Sequence, residues 1–314
     1  MDLELKLNFE LVWAPKNPVI TEGPQWDGEA FRFTLVEESA IFRYFLDGKV
    51  QVFMENTNMA NGTMFDKNGN YFACEGHNNM HAIVRYDKDK TVVLADKYNG
   101  DRLNMPNDLA IDSKGRIWFT DPWYETCGGP ETQTRKHKEL THDSVYRLDP
   151  ALDGSYSIHR VVFDTTRPNG IVFSKDEKIL YIAQSGRRKS EEKDLRSYAV
   201  GEDGSLLPKK VLYNFWPNRG IDGMKLDIGG NIWATAGDRK NTEYDRGGLP
   251  PGPKIIKFSS DGKVLNCYPL PEPVQKPNNC AFGGKDLDLL LVTTSAGHLY
   301  LAKTNTTGHV AFPR

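Results

Sequence analysis

The chain has 314 residues, a formal net charge of −2 and no long run of one sign, which argues against nucleic acid or a membrane surface as a partner, since both need a basic patch. Hydrophobic residues make up 39% and aromatics 11%, enough for a substantial core, and no apolar run approaches the roughly 20 residues of a bilayer span. Met1-Asp2-Leu3-Glu4 lacks the basic and apolar regions of a secretory signal. The expected compartment is therefore the cytoplasm, with the periplasm or secretion the alternative for a chain whose leader has been removed. Cys74, Cys127, Cys267 and Cys280 show no CxxC spacing and read as reduced thiols.

Residues 9–14 read as a strand. A turn-and-strand unit follows at Glu22-Gly23-Pro24-Gln25-Trp26-Asp27, with further strands at 31–36, 40–45 and 50–54. The same unit reopens at Asn61, with strands at 71–75, 82–86 and 91–95, and again at Asn107, Asn169, Asp222 and Asn278. The later second strands are 117–121, 179–184, 232–236 and 289–294; the third strands are 144–148, 196–200, 254–258 and 298–302. In every copy Gly, Asp or Asn follows the opening polar residue, and a large apolar residue stands four positions on: Trp26, Phe65, Ile111, Phe173, Leu226 and Phe282. The copies are 39, 46, 62, 53 and 56 residues apart, a period of about four strands, which predicts one domain over residues 1–314 built as an all-β, six-bladed β-propeller with four antiparallel strands per blade. Fourth strands are visible at 50–54, 91–95, 159–163, 210–213 and 264–267, but the sixth unit has only a remnant at 309–312. The N-terminal strand is therefore expected to close the sixth blade and lock the ring, with 309–312 as the alternative.

The first strand of a propeller blade lies innermost, so the six copies place Glu22, Asn61, Asn107, Asn169, Asp222 and Asn278 around one axis. Two carboxylates grouped in a narrow tunnel call for a compensating charge. An all-oxygen set suits one hard divalent cation, Ca2+ first, with Zn2+, Mg2+ or Mn2+ possible occupants. Strand order opens this ring toward the links at 75–81, 122–143, 185–195 and 237–253 and the segment 97–106, which would form a pocket for a small molecule. Candidate lining residues are Glu75, His77, Asp121, Trp123, Tyr124, Arg187, Asp238, Arg239 and His298. The basic stretch 135–138 and the charged run 187–196 read as solvated loops.

Glu22-Gly23-Pro24, Pro106-Asn107-Asp108, Arg167-Pro168-Asn169-Gly170 and Asp222-Gly223-Met224, in this order, resemble the senescence marker protein/gluconolactonase/luciferin-regenerating-enzyme family. Arg102-Leu103-Asn104-Met105-Pro106-Asn107-Asp108 and Trp118-Phe119-Thr120-Asp121-Pro122 are most similar to its bacterial and fungal gluconolactonase branch. The resemblance implies a six-bladed propeller with one catalytic divalent cation in the axial tunnel, hydrolysing lactones or, in some relatives, phosphofluoridates. It implies Glu22, Asn169 and Asp222 as central metal ligands, Asn107 as a fourth ligand or substrate contact, and Asp108 as an acid beside it that supports the ligands from behind; Asn61 and Asn278, placed in the ring by the repeat, are expected to support them in the same way. The chain departs from the pattern at Met105, where animal sugar-lactonases carry an Arg. It departs again at Lys225, where the organophosphatases place an acid for a second calcium; one metal is therefore expected here, with weak organophosphatase activity at best.

The chemistry expected is attack of water on a lactone carbonyl, with Asp222 as general base and Glu22 as second choice. Asn107, Asp121, Trp123, Arg187 and His298 are the expected substrate contacts, and the substrate a sugar lactone or other lactone. A Ser nucleophile is disfavoured, since no Gly-x-Ser-x-Gly elbow exists. The alternatives are an organophosphatase-like hydrolase, a metal-free strictosidine-synthase-like enzyme and a non-catalytic ligand- or partner-binding propeller; two acids in the tunnel argue against the last.

Overall fold

The computed structural model describes residues 6–77, 80–88, 90–125 and 134–313. The inner strands Thr21–Trp26, Thr63–Phe65, Leu109–Ile111, Pro168–Phe173, Ile221–Leu226 and Pro277–Gly283 each begin a four-stranded antiparallel sheet. Each inner strand touches the next, and the last touches the first, so the six sheets close into a propeller. Among the described residues the only helical element is a 3-10 turn at Arg135–His137, and no helix is long and apolar enough to cross a membrane.

The apolar positions four beyond each ring residue hold the blades together. Trp26, Phe65, Phe173, Leu226 and Phe282 are buried, and Ile111 is half-buried. Trp118 and Trp233, both inaccessible to solvent, meet Phe173 and Phe282 edge-on at 5.4 and 5.5 Å between ring centroids. Their indole nitrogens donate to Asp112 and Asp227, which also accept turn N–H groups at the foot of their blades. One acid thus satisfies a buried donor and fixes a turn in each of these two blades.

The N-terminal strand Glu10–Trp13 pairs antiparallel with Leu299–Lys303 and takes the outer place in the sixth blade. Its Trp13 packs against Phe33 of the first blade at 5.4 Å. The alternative closure by 309–312 does not occur. Gly308 bridges to Asp227, and the chain then crosses the end of the propeller away from the ring, where Phe312 packs on Phe65.

Other expectations are corrected. The 75–81 link is not a loop: strands run Tyr71–His77 and Met80–Tyr86, pairing as far as His77 with Met80. A small hairpin, Lys97–Tyr98 with Asp101–Arg102, lies in the segment before Asn107. Two charged stretches expected to be solvated are partly internal. Lys138 is buried on Asp143, and Arg196, wholly inaccessible, forks onto Asp194 and reaches Glu192 at 2.7 Å. A guanidinium can be buried because adjacent strand positions supply carboxylates that match its planar donor set.

Candidate active site

The inner strands converge on an open cavity of about 740 Å³ lined by all six ring residues, Glu22, Asn61, Asn107, Asn169, Asp222 and Asn278. That volume lies in the usual range for a small-molecule pocket. The ring is assembled by interblade hydrogen bonds. The Thr120 hydroxyl donates to the Asn169 carbonyl at 2.8 Å, Thr235 to that of Asn278 at 2.7 Å, and Thr34 to that of Asn61 at 3.3 Å. Pairing between the first and second strands slips at Glu22/Gln25, Pro168/Ile171, Ile221/Met224 and Pro277/Cys280, which frees the ring residues from regular strand geometry. Glycine follows the ring residue because neighbouring inner strands nearly touch: a Cβ on Gly170 would lie 2.4 Å from the Asp222 carbonyl oxygen.

Glu22 is buried and accepts from the Gly23 N–H at 2.7 Å and the Asn279 amide at 3.1 Å. Burial, and then the charge of Asp222, push its carboxyl up to about 8 against those bonds. Asp222 is also raised, by burial, which outweighs the opposing Arg219 charge and the Asn169 hydrogen bond. Arg219 Nη2 donates to Asp222 Oδ2, and the Asn169 amide donates to the Tyr124 hydroxyl at 2.8 Å. Asp108 lies one residue beyond Asn107, buried, with Oδ1 on the Leu109 N–H and Oδ2 without a hydrogen-bond partner.

Around the ring, Met105, Tyr124, Arg187 and Asp238 also line the cavity, with the Arg187 guanidinium 4.9 Å from the Tyr124 ring centre. Asp121, Trp123 and His298 do not. Asp121 is fully buried and clamps the loop before the ring, accepting from the Asn104 and Met105 N–H groups at 2.9 and 2.8 Å. Trp123 is inaccessible and packs behind Met105 and Tyr124. His298 lies edge-on to Tyr300, outside the cavity lining. Arg239 is tied to the Val274 and Pro271 carbonyls and to Glu272, and the His77 side chain lies outside the described residues.

Glu75 is buried too, accepting from the Tyr86 hydroxyl at 2.7 Å, and burial pushes it up to about 7. A carboxyl raised in the fold from 4.5 has no effect below that pH and destabilises increasingly up to about pH 7, by as much as about 3 kcal/mol. Glu75→Gln should therefore match the parent protein in thermal unfolding at pH 4.5 and melt several degrees higher at pH 8. A difference that shrinks as pH rises would contradict this.

Sequence reading missed Arg219 and Asn279. Asn279 was detectable, because only Asp108 and Asn279 replace the glycine that follows the ring residue in the other copies. Arg219 belongs to no repeat; its one signal is its place three residues before Asp222.

Among the described residues no three or more His, Cys, Asp and Glu side chains group as a metal site. The ring's donors are two carboxylates among side-chain amides, with Glu22 held in an environment that disfavours its charge. This set fits a hard cation bound through oxygen.

The family model described as SMP-30/Gluconolactonase/LRE-like region matches residues 20–296. A gluconolactonase of Zymomonas mobilis is 28% identical over 303 residues, covering 88% of this chain and 76% of its own. A pentonolactonase of Haloferax volcanii is 24% identical, covering 88% and 81%. The solved structure of a Xanthomonas campestris gluconolactonase superposes with a TM-score of 0.75 at 28% identity, covering 95% of this chain and 89% of that one.

Proposed function

The chain belongs to the SMP-30/gluconolactonase/LRE-like family, and from that premise we propose that it hydrolyses lactones at the axial ring with the help of one divalent cation. The observation that carries this reading is the convergence of Glu22, Asn107, Asn169 and Asp222 on one cavity of about 740 Å³. These four residues would hold the cation. When bound, it would supply Lewis acidity toward a lactone carbonyl and relieve the charge at Glu22.

The chain's own groups account for the proton movements. Asp222 gives one lone pair of Oδ2 to Arg219, which leaves the remaining carboxylate lone pairs both to hold the cation and to take a proton from the attacking water. The water oxygen bonds to the carbonyl carbon, the ring C–O bond breaks, and the leaving alkoxide takes back the proton to give a hydroxy acid. Glu22, fixed by Gly23 and Asn279, keeps its carboxylate directed at the ring. Tyr124, held by Asn169, and Arg187 over its ring form the wall where substrate hydroxyls would bind. Met105 lines the cavity where animal relatives would place an Arg, so hydroxyl recognition falls to these residues instead.

The direct test is acid release from D-glucono-δ-lactone and several γ-lactones, followed by pH-stat. Saturable hydrolysis of at least one lactone is expected. No hydrolysis of any lactone by protein carrying its cation would overturn the reading.

A further inference from the structure

Arg219 makes three hydrogen bonds in the cavity wall. Nη2 holds Asp222 Oδ2, while Nη1 donates to the Pro277 carbonyl at 3.0 Å and the Gly237 carbonyl at 3.2 Å. The guanidinium is therefore anchored to backbone of the fifth blade at Gly237 and of the sixth at Pro277, and spans to the ring acid. Its side chain is 18% exposed and that of Asp222 14%, so the pair faces the cavity without being freely solvated.

We propose that Arg219 is a built-in counterion of the ring: it occupies one oxygen of Asp222, directs the other into the cavity, and weakens the hold of the ring on its cation. The inference rests on the proposed cation site. A fixed positive charge bonded to a ligand carboxylate repels a divalent ion sharing that carboxylate, and little bulk water lies between them to screen it. It also draws on the same carboxylate lone pairs. When the guanidinium is removed, Asp222 keeps the Asn169 hydrogen bond, so its orientation is only partly lost. Repulsion is the larger effect, and the site should bind its ion more tightly. Arg219 thus acts through Asp222, as a positioning residue rather than a catalytic one. It keeps the ring's charge compensated when no ion is bound and leaves the ion exchangeable.

The test is calcium titration by isothermal calorimetry on chelator-stripped full-length protein, comparing the parent with Arg219→Gln and Arg219→Lys and checking each fold by circular dichroism. Arg219→Gln is expected to lower the calcium Kd by roughly tenfold. Its kcat should fall more than its KM rises, because Asp222 is less well directed. Arg219→Lys, which keeps the charge, should stay near the parent Kd. A merely structural Arg219 would give the opposite sign, with weaker binding in Arg219→Gln. Unchanged or weaker binding in a folded Arg219→Gln protein overturns the inference while leaving the cation site intact. Failure of the parent to bind calcium, zinc, magnesium or manganese overturns the cation site itself, and the inference with it.

Discussion

Asp222→Asn is expected to lower kcat/KM for lactone hydrolysis by about 10³-fold or more and to abolish cation retention, in a protein that still folds. The substitution keeps the side chain's size and its hydrogen bonding to Asn169 but removes the charge that Asp222 adds to that of Glu22 in the ring. With one carboxylate left among amides, the donor set no longer matches a divalent ion. The group proposed to take a proton from water is lost in the same step. The Arg219 guanidinium keeps its two carbonyl bonds, so the local cost to stability should be about 1–3 kcal/mol, that of losing one charged hydrogen-bond partner. Steady-state kinetics with metal analysis of the purified variant decide the matter. Lost turnover with the ion retained would confine Asp222 to proton transfer. Retained turnover would contradict both of its roles.

Removal of residues 1–14 should lower the thermal midpoint by about 10 °C or more and make the protein prone to associate. The strand Glu10–Trp13 contributes little surface, but it closes the ring. It covers the edge of Leu299–Lys303 and brings Trp13 against Phe33, while Phe9 is buried beside the sixth blade. Burial of Phe9, Val12 and Trp13 accounts for stabilisation on the order of 5 kcal/mol. Beyond that loss, the last blade becomes an unpaired edge beside the first. Thermal unfolding by circular dichroism and size-exclusion chromatography would show the effect. An unchanged midpoint and a single monodisperse peak would mean that the strand is peripheral.

The propeller was legible because its signal is repetition. Six copies in register fix which strand is innermost, and the missing fourth strand of the last unit points to the N-terminus. The second strands 117–121, 179–184, 232–236 and 289–294 coincide with those of the structure, since β-branched and aromatic alternation between tight turns leaves little freedom there. The convergence of the ring residues on one cavity followed from the same register. Residues outside the repeat were harder to place. Asp121 was expected in the pocket because it ends a strand on the open face, yet it turns inward to satisfy the N–H groups of Asn104 and Met105. Trp123 follows it beneath the surface. Lys138 and Arg196 were expected in water, but both side chains are covered where they pair with Asp143 and Asp194, carboxylates five and two residues away that a run of charges does not by itself mark as buried partners. Arg219 shows the same limit at the site itself. Its bonds to Gly237 and Pro277 link segments 18 and 58 residues away, which no local pattern encodes.

The ring's proposed dependence on a divalent cation underlies the whole reaction. It is tested most directly by assaying lactone hydrolysis before and after exhaustive chelation, with metal content measured at each stage and calcium, zinc, magnesium and manganese added back singly. Activity should vanish as about one ion per chain is removed, and return with at least one of the four. Full activity in protein shown to be free of metal would contradict the account.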